Sequence, residues 1–154
     1  MGSCCRSKLN DDSYIDESYN RRIKLPSIII IPQDSALIYL DMLLSPSSIR
    51  LRNSLKEKFP NLIIRESEKR IFNDMEMINK RKYYIIIIGN LHHETLRLMI
   101  KNYKIKGIYF YWNQSNLNNY FNSTKIKGVF HKQIELKKAI YYDVRFDKFY
   151  LTNV

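Results

Sequence analysis

Glycine is scarce in this chain of 154 residues: Gly2, Gly89, Gly107 and Gly128 are all there is, and no two lie close together. A phosphate cradle needs clustered glycines so that backbone N–H groups can close around the anion. Neither a Walker loop nor a dinucleotide fingerprint can be built, which removes nucleotide-driven chemistry from the expected functions. Cysteine is scarcer still. Cys4 and Cys5 are adjacent and have no third partner, which excludes the disulfide framework of a small secreted fold. The apolar stretch SIIIIPQDSALIYLDMLL is interrupted by Pro32, Gln33, Asp34 and Asp41, and it cannot serve as a transmembrane helix. The start is polar and then acidic, NDDSYIDES, without a secretory signal pattern, so the chain is expected on the cytosolic side. The sequons at Asn113 and Asn122 are then expected to stay unmodified.

What is present is a globular composition, 45% hydrophobic, in a length that suits one domain. Residues 1–26 are polar and mixed in charge and read as a flexible arm, 27–148 as the folded domain, and 149–154 as a tail. From Leu37 onward a short apolar run alternates with a helical pattern. The runs are ALIYL, NLIIR, YYIIIIG, GIYFYW and GVF. The third is apolar throughout, as a strand buried on both faces must be.

Between the runs the apolar residues fall at helical spacing. Leu51, Leu55 and Phe59 follow a Ser45-Pro46 start and stop at Pro60. Ile71, Phe72, Met75 and Ile78 come next, then Leu96, Met99, Ile100 and Tyr103. A short fourth helix would carry Leu117, Tyr120 and Phe121, and a last one Leu136, Ala139 and Ile140. Strand and helix alternating at roughly 20-residue intervals imply parallel strands with right-handed crossovers. The expected architecture is α/β, a doubly wound five-stranded parallel sheet of flavodoxin-like order in a three-layer αβα sandwich. Ile-Lys-Gly occurs twice, at Ile105–Gly107 and Ile126–Gly128, each time where a strand starts. The run Ile28 to Ile31 stands outside the five units. An extra edge strand is the first expectation for it, with an apolar patch under the sheet or a membrane-inserted segment as alternatives.

The formal charge of +11 calls for an anionic partner. In this fold every helix-to-strand loop lies at one end of the sheet. That end collects Lys56 and Lys58; Lys80, Arg81 and Lys82; Lys101, Lys104 and Lys106; and Lys125 and Lys127. Complementing helix dipoles explains any one of these lysines. It explains less well why all four loops are basic. The opening MGSCC supplies a companion signal: Gly2 can be myristoylated after loss of Met1, and Cys4 and Cys5 are placed for palmitoylation. The pattern departs from the usual one at Arg6, where Ser or Thr is expected. A single myristoyl chain holds a membrane only marginally, so a second signal is required. Palmitate is one candidate. A basic face, at about 1 kcal/mol per Lys or Arg near an anionic leaflet, is the other.

The opposite, strand-to-helix end is where open α/β sheets bind ligands. It gathers Asp41, Glu66, Glu68, Asn90, His92, His93, Glu94, Trp112, His131 and Lys132. All three histidines fall here, yet His92 and His93 are neighbours at a helix start and would point apart, so no metal site is expected. No strained nucleophile elbow is visible either.

The five βα units, with IYLD closing the first strand and FHK closing the fifth, resemble a response-regulator receiver domain over about residues 36–145. The family requires an acidic pair after its first strand, an acceptor Asp ending its third, a Ser or Thr after its fourth and a Lys after its fifth. Asp41 matches one acid and Lys132 the lysine. Met42 occupies the other acid position, Gly89-Asn90 replaces the acceptor, and Trp112-Asn113 follows the fourth strand, with Ser115 further on. The resemblance therefore implies a receiver shell without phosphoryl transfer and without a cofactor. GIYFYW and KIKGVF are similar to a receiver-like module of invertebrate multidomain proteins, often found with tetratricopeptide or ADP-ribosyltransferase domains. That likeness implies a sensing or interaction role.

Three functions remain open. The first is a non-catalytic module tethered to the cytoplasmic face of a membrane, with anionic lipids and an unidentified protein as partners. The second is a TIR-type NAD-cleaving enzyme using Glu66, Glu68 or Glu94. The third is nucleic-acid binding through the basic end, less favoured because few aromatics interleave with the lysines. The terminal LTNV adds a possible PDZ-binding peptide, through Thr152 and Val154.

Overall fold

The computed structural model of the protein describes residues 24–111 and 122–153. Its elements follow in the order β1 (Ser35–Asp41), α1 (Pro46–Lys58), β2 (Ile63–Arg65), a 3₁₀ turn (Glu68–Arg70), α2 (Ile71–Ile78), β3 (Lys82–Ile88), α3 (His93–Lys101), β4 (Ile105–Tyr111), β5 (Ile126–Phe130) and α4 (Gln133–Asn153). The five strands are all parallel and ordered β2-β1-β3-β4-β5, the flavodoxin-like arrangement. The fourth helix expected from Leu117, Tyr120 and Phe121 lies outside the described residues, as do Trp112 and the MGSCC start.

Side-chain alternation divides the sheet into two dry faces. Leu37, Tyr39, Tyr84, Ile86, Ile88, Tyr109 and Tyr111 pack against Leu51, Leu55 and Phe59 of α1 and Leu136, Ile140 and Val144 of α4. Ala36, Ile38, Leu40, Tyr83, Ile85, Ile87, Ile108 and Phe110 pack against Ile71 and Met75 of α2 and Leu96 and Met99 of α3. Central β3 is covered on both sides, which is why its sequence shows no polar alternation.

Helix boundaries follow local chemistry. Ser45 caps α1 in a capping box with Ser48, and Pro46 occupies the first turn, where its missing N–H costs nothing. Asn79 ends α2 in the left-handed conformation that asparagine tolerates. In α3 the helix stops at Lys101, so Tyr103 belongs to the following turn and is 77% exposed instead of completing the apolar face.

Two further sequence expectations change in the structure. The Ile28–Ile31 run is not an edge strand. The Ile29 N–H bonds to Lys58 O at the end of α1 (2.8 Å), and Ile29 and Ile31 enter the core while Ile28 and Ile30 point outward. The Ile-Lys-Gly repeats are more than matching strand starts. Tyr83 pairs with Ile105 but Tyr84 with Gly107, and Ile108 pairs with Ile126 but Tyr109 with Gly128. Each incoming strand carries one extra residue, Lys106 or Lys127, which stands outside the register as in a bulge. The offset keeps Ile105 and Ile108 on the same face of the sheet.

Candidate functional site

The helix-to-strand end is a continuous rim tied together by backbone hydrogen bonds. The Arg81 N–H reaches Asp34 O at 2.9 Å, Tyr83 N–H reaches Lys104 O at 2.8 Å, and Ile108 N–H reaches Lys125 O at 2.8 Å. These bonds set the residues before β1, the α2–β3 turn, the α3–β4 turn and the approach to β5 side by side.

The cations on this rim divide into two groups. In the first, each ammonium is used internally. Lys56 Nζ donates to Leu62 O and Lys58 Nζ to Pro26 O, at 2.8 and 2.7 Å, and Lys80 Nζ donates to Gln33 O at 2.8 Å. Lys125 Nζ donates to Ile100 O and Asn102 O, closing the C-terminal end of α3 from the neighbouring loop. Burial, with Lys106 nearby, holds the Lys125 amine below its ordinary value. In the second group, Arg81, Lys82, Lys101, Lys104, Lys106 and Lys127, no side chain has a hydrogen bond or ion pair with the described residues. Lys106 and Lys127 are both exposed, because each bulge pushes its extra residue out of the register. Asp34 is an acid on the same rim, its carboxylate accepting from Ser35 Oγ at 3.1 Å.

At the strand-to-helix end, Asp41 is the one buried residue among the described members of the expected set, at 1% exposure. Its Oδ1 accepts the N–H groups of Leu43 and Leu44, both at 3.0 Å, while Oδ2 is enclosed without a hydrogen-bond partner among the described residues. This clamp holds Leu44 in the left-handed region (φ 54°), an uncommon conformation for a leucine. Alongside, Gly89 adopts φ 101°, and a Cβ there would press on Leu43 Cγ at 3.3 Å. Leu43 and Leu44 are left half exposed at the mouth of the sheet.

The remaining residues of that set do not converge. Glu66, Asn90, His92, His93, His131 and Lys132 are exposed. Glu68 Oε2 accepts the His92 backbone N–H at 3.0 Å, and the His131 carbonyl accepts the Tyr111 hydroxyl at 3.3 Å. Among the described residues, no group of three His, Cys, Asp or Glu side chains could hold a metal ion.

Several polar contacts had no signal in the sequence. The Tyr39 hydroxyl donates to Ser48 O at 2.7 Å, tying β1 to the first turn of α1. Burial, then the Asp41 carboxylate, pushes this phenol well above its ordinary value. Tyr109 donates to Asp143 Oδ2 at 2.6 Å, joining β4 to α4. Lys137 Nζ donates to Ser54 Oγ at 2.9 Å, and Ser54 in turn donates to Gln133 Oε1 at 2.8 Å, a polar clasp between α1 and α4. These partners lie between 9 and 83 residues apart, and nothing in the sequence pairs them.

The protein is thus an α/β domain of flavodoxin-like order with one end basic and the other closed around a buried carboxylate. Compared with known proteins, the chain matches no family model, no curated protein and no solved structure. No helix among the described residues is long and apolar enough to cross a membrane.

Proposed function

We propose that the protein is a non-catalytic, membrane-tethered interaction module that rests its basic rim on an anionic leaflet. The observation that carries this reading is the second group of cations. Arg81, Lys82, Lys101, Lys104, Lys106 and Lys127 occupy one continuous end with no acceptor among the described residues, which leaves their charge for a partner. Acyl groups on Gly2, Cys4 and Cys5 would supply the hydrophobic half of the tether. Lys58 Nζ donates to Pro26 O and the Ile29 N–H donates to Lys58 O, so the first described residues lie against the end of α1, on the side that the cations face. Asp41 at the end of β1, Gly89-Asn90 in place of an acceptor carboxylate, and the strand order together favour a receiver-like shell that serves recognition. Its protein partner would meet the strand-to-helix end, around Leu43, Leu44 and His131. The LTNV terminus remains a candidate peptide for a PDZ domain.

The test is membrane partition of the full chain in eukaryotic cells, at low and high salt. Wild type is expected to pellet with membranes. Gly2→Ala and the double change Cys4→Ser/Cys5→Ser are expected to release it, and more completely at high salt. Equal solubility of all three proteins would overturn the tether.

A further inference from the structure

The rim that carries the free cations also carries exposed apolar side chains. We propose that Ile28, Ile30 and Tyr103 enter the anionic leaflet that those cations face. The proposal rests on the membrane reading above and assigns the residues that would penetrate.

Ile28 is 56% exposed, Ile30 63% and Tyr103 77%. Their exposure is imposed by well-anchored neighbours. Ile29 and Ile31 are fixed in the core, at 6% and 5% exposure; Ile30, between them, is turned outward, and Ile28 sits at the bend just before Ile29, outside the core. Tyr103 sits at the tip of a turn pinned on both sides. Asn102 N–H donates to Met99 O, Asn102 Oδ1 accepts Lys104 N–H at 2.9 Å, and Lys104 O accepts Tyr83 N–H at 2.8 Å. The Tyr103 hydroxyl has no hydrogen bond with the described residues. An aromatic body with a polar tip is the side chain that a headgroup layer favours, and Lys101 and Lys104 flank it.

The chemistry of the three side chains selects the occupant. Single-stranded nucleic acid would also match the charge, but it binds on aromatic platforms along a basic groove. Two of the three side chains are isoleucines, which offer a base no stacking surface yet gain from moving out of water among acyl chains. Exposed aliphatics inside a cationic rim therefore match a lipid surface.

The test uses the non-acylated full chain, with vesicles of phosphatidylcholine alone or with phosphatidylserine. Salt is set low or at about 1 M, where the screening length falls to about 3 Å and charge attraction is suppressed. Wild type is expected to keep a bound fraction on anionic vesicles at high salt. The variant Ile28→Ser/Ile30→Ser/Tyr103→Ser is expected to bind about 10-fold more weakly, with its thermal melt unchanged. A Tyr103→Trp reporter in a Trp112→Phe background is expected to be quenched by brominated lipid. If vesicles bind but the reporter stays unquenched and the triple variant binds like wild type, insertion is overturned while the basic-rim reading stands. If no protein binds anionic vesicles at low salt, the membrane reading itself falls. Salt-sensitive binding to RNA that Tyr103→Ser weakens, without vesicle binding, would replace both with a nucleic-acid surface.

Discussion

At Tyr39, one hydroxyl is buried, hydrogen-bonded and placed beside a carboxylate. The phenol is fully enclosed, donates to Ser48 O, and has Asp41 for a neighbour. Removing the hydroxyl with Tyr39→Phe is expected to cost about 0.5–1.5 kcal/mol near neutral pH, read from urea unfolding. The pH dependence has a definite sign. Below about 10 the phenol is neutral in both folded and unfolded chains, and its contribution is fully present. Above that, the unfolded chain ionises while the folded one holds its proton, so stability is lost as pH rises toward the raised folded value. Tyr111, raised by burial and by Glu135, acts in the same direction. Lys125 and Lys137, both lowered by burial, act in the opposite one, so the informative quantity is the difference between wild type and Tyr39→Phe. That difference should shrink between pH 8 and pH 11. A constant gap would contradict the assignment.

Among the elements, the two Ile-Lys-Gly strand starts show one sequence serving two physical needs. Gly128 adopts φ 144°, where a side chain is strained whatever the space around it. Gly107 is required for room: a Cβ there would stand 2.9 Å from Tyr109 Oη and 3.1 Å from its ring carbons. That ring cannot retreat freely, since its hydroxyl is held by Asp143. Gly107→Ala is expected to destabilise the domain by about 1–3 kcal/mol in urea unfolding. The cost should be smaller in a Tyr109→Phe background, where the colliding oxygen is gone. An equal cost in both backgrounds would place the strain elsewhere.

The strands were legible because five apolar runs separated by helical spacing leave few alternatives. Leu51, Leu55, Met75, Leu96, Met99, Leu136 and Ile140 could be assigned to cores from periodicity alone. A one-residue register offset leaves no trace in hydrophobicity, so the rim position of Lys106 and Lys127 could be read from the sequence but the bulges that expose them could not. Tyr103 continues the helical spacing of α3, but periodicity does not record where the hydrogen bonds stop. Ile28 to Ile31 is an apolar run that suits a strand or a patch under the sheet equally, and only the fold shows that the Ile29 N–H goes to the end of α1 and not to a neighbouring strand. At the candidate site, the charge of the rim was legible from loop positions. Which lysines are free was not, because Lys56, Lys58, Lys80 and Lys125 spend their ammonium groups on carbonyls that only the fold brings near.

For the whole molecule, that division of the lysines separates docking from stability. Lys106→Ala/Lys127→Ala is expected to weaken binding to anionic vesicles and leave the melting temperature unchanged, because neither side chain has a hydrogen bond or ion pair among the described residues. Lys125→Ala is expected to lower stability by about 1 kcal/mol, because it uncaps the carbonyls of Ile100 and Asn102. Vesicle sedimentation and thermal melts on both variants decide the matter, and the reverse pattern would show that the rim has been wrongly divided.

The course of α4 adds a practical consequence. This helix starts at Gln133 beside the mouth of the sheet and runs back along it through Leu136, Ile140 and Val144; at about 1.5 Å per residue its 21 residues are longer than the seven-residue β1 at about 3.3 Å per residue. Both ends of the described chain therefore leave on the basic side. A fluorescent protein or affinity handle joined directly to residue 24 or to residue 153 would stand at the rim and wedge it away from whatever it rests on. A label spliced into the exposed turn at Asn90 would stand clear on the far side.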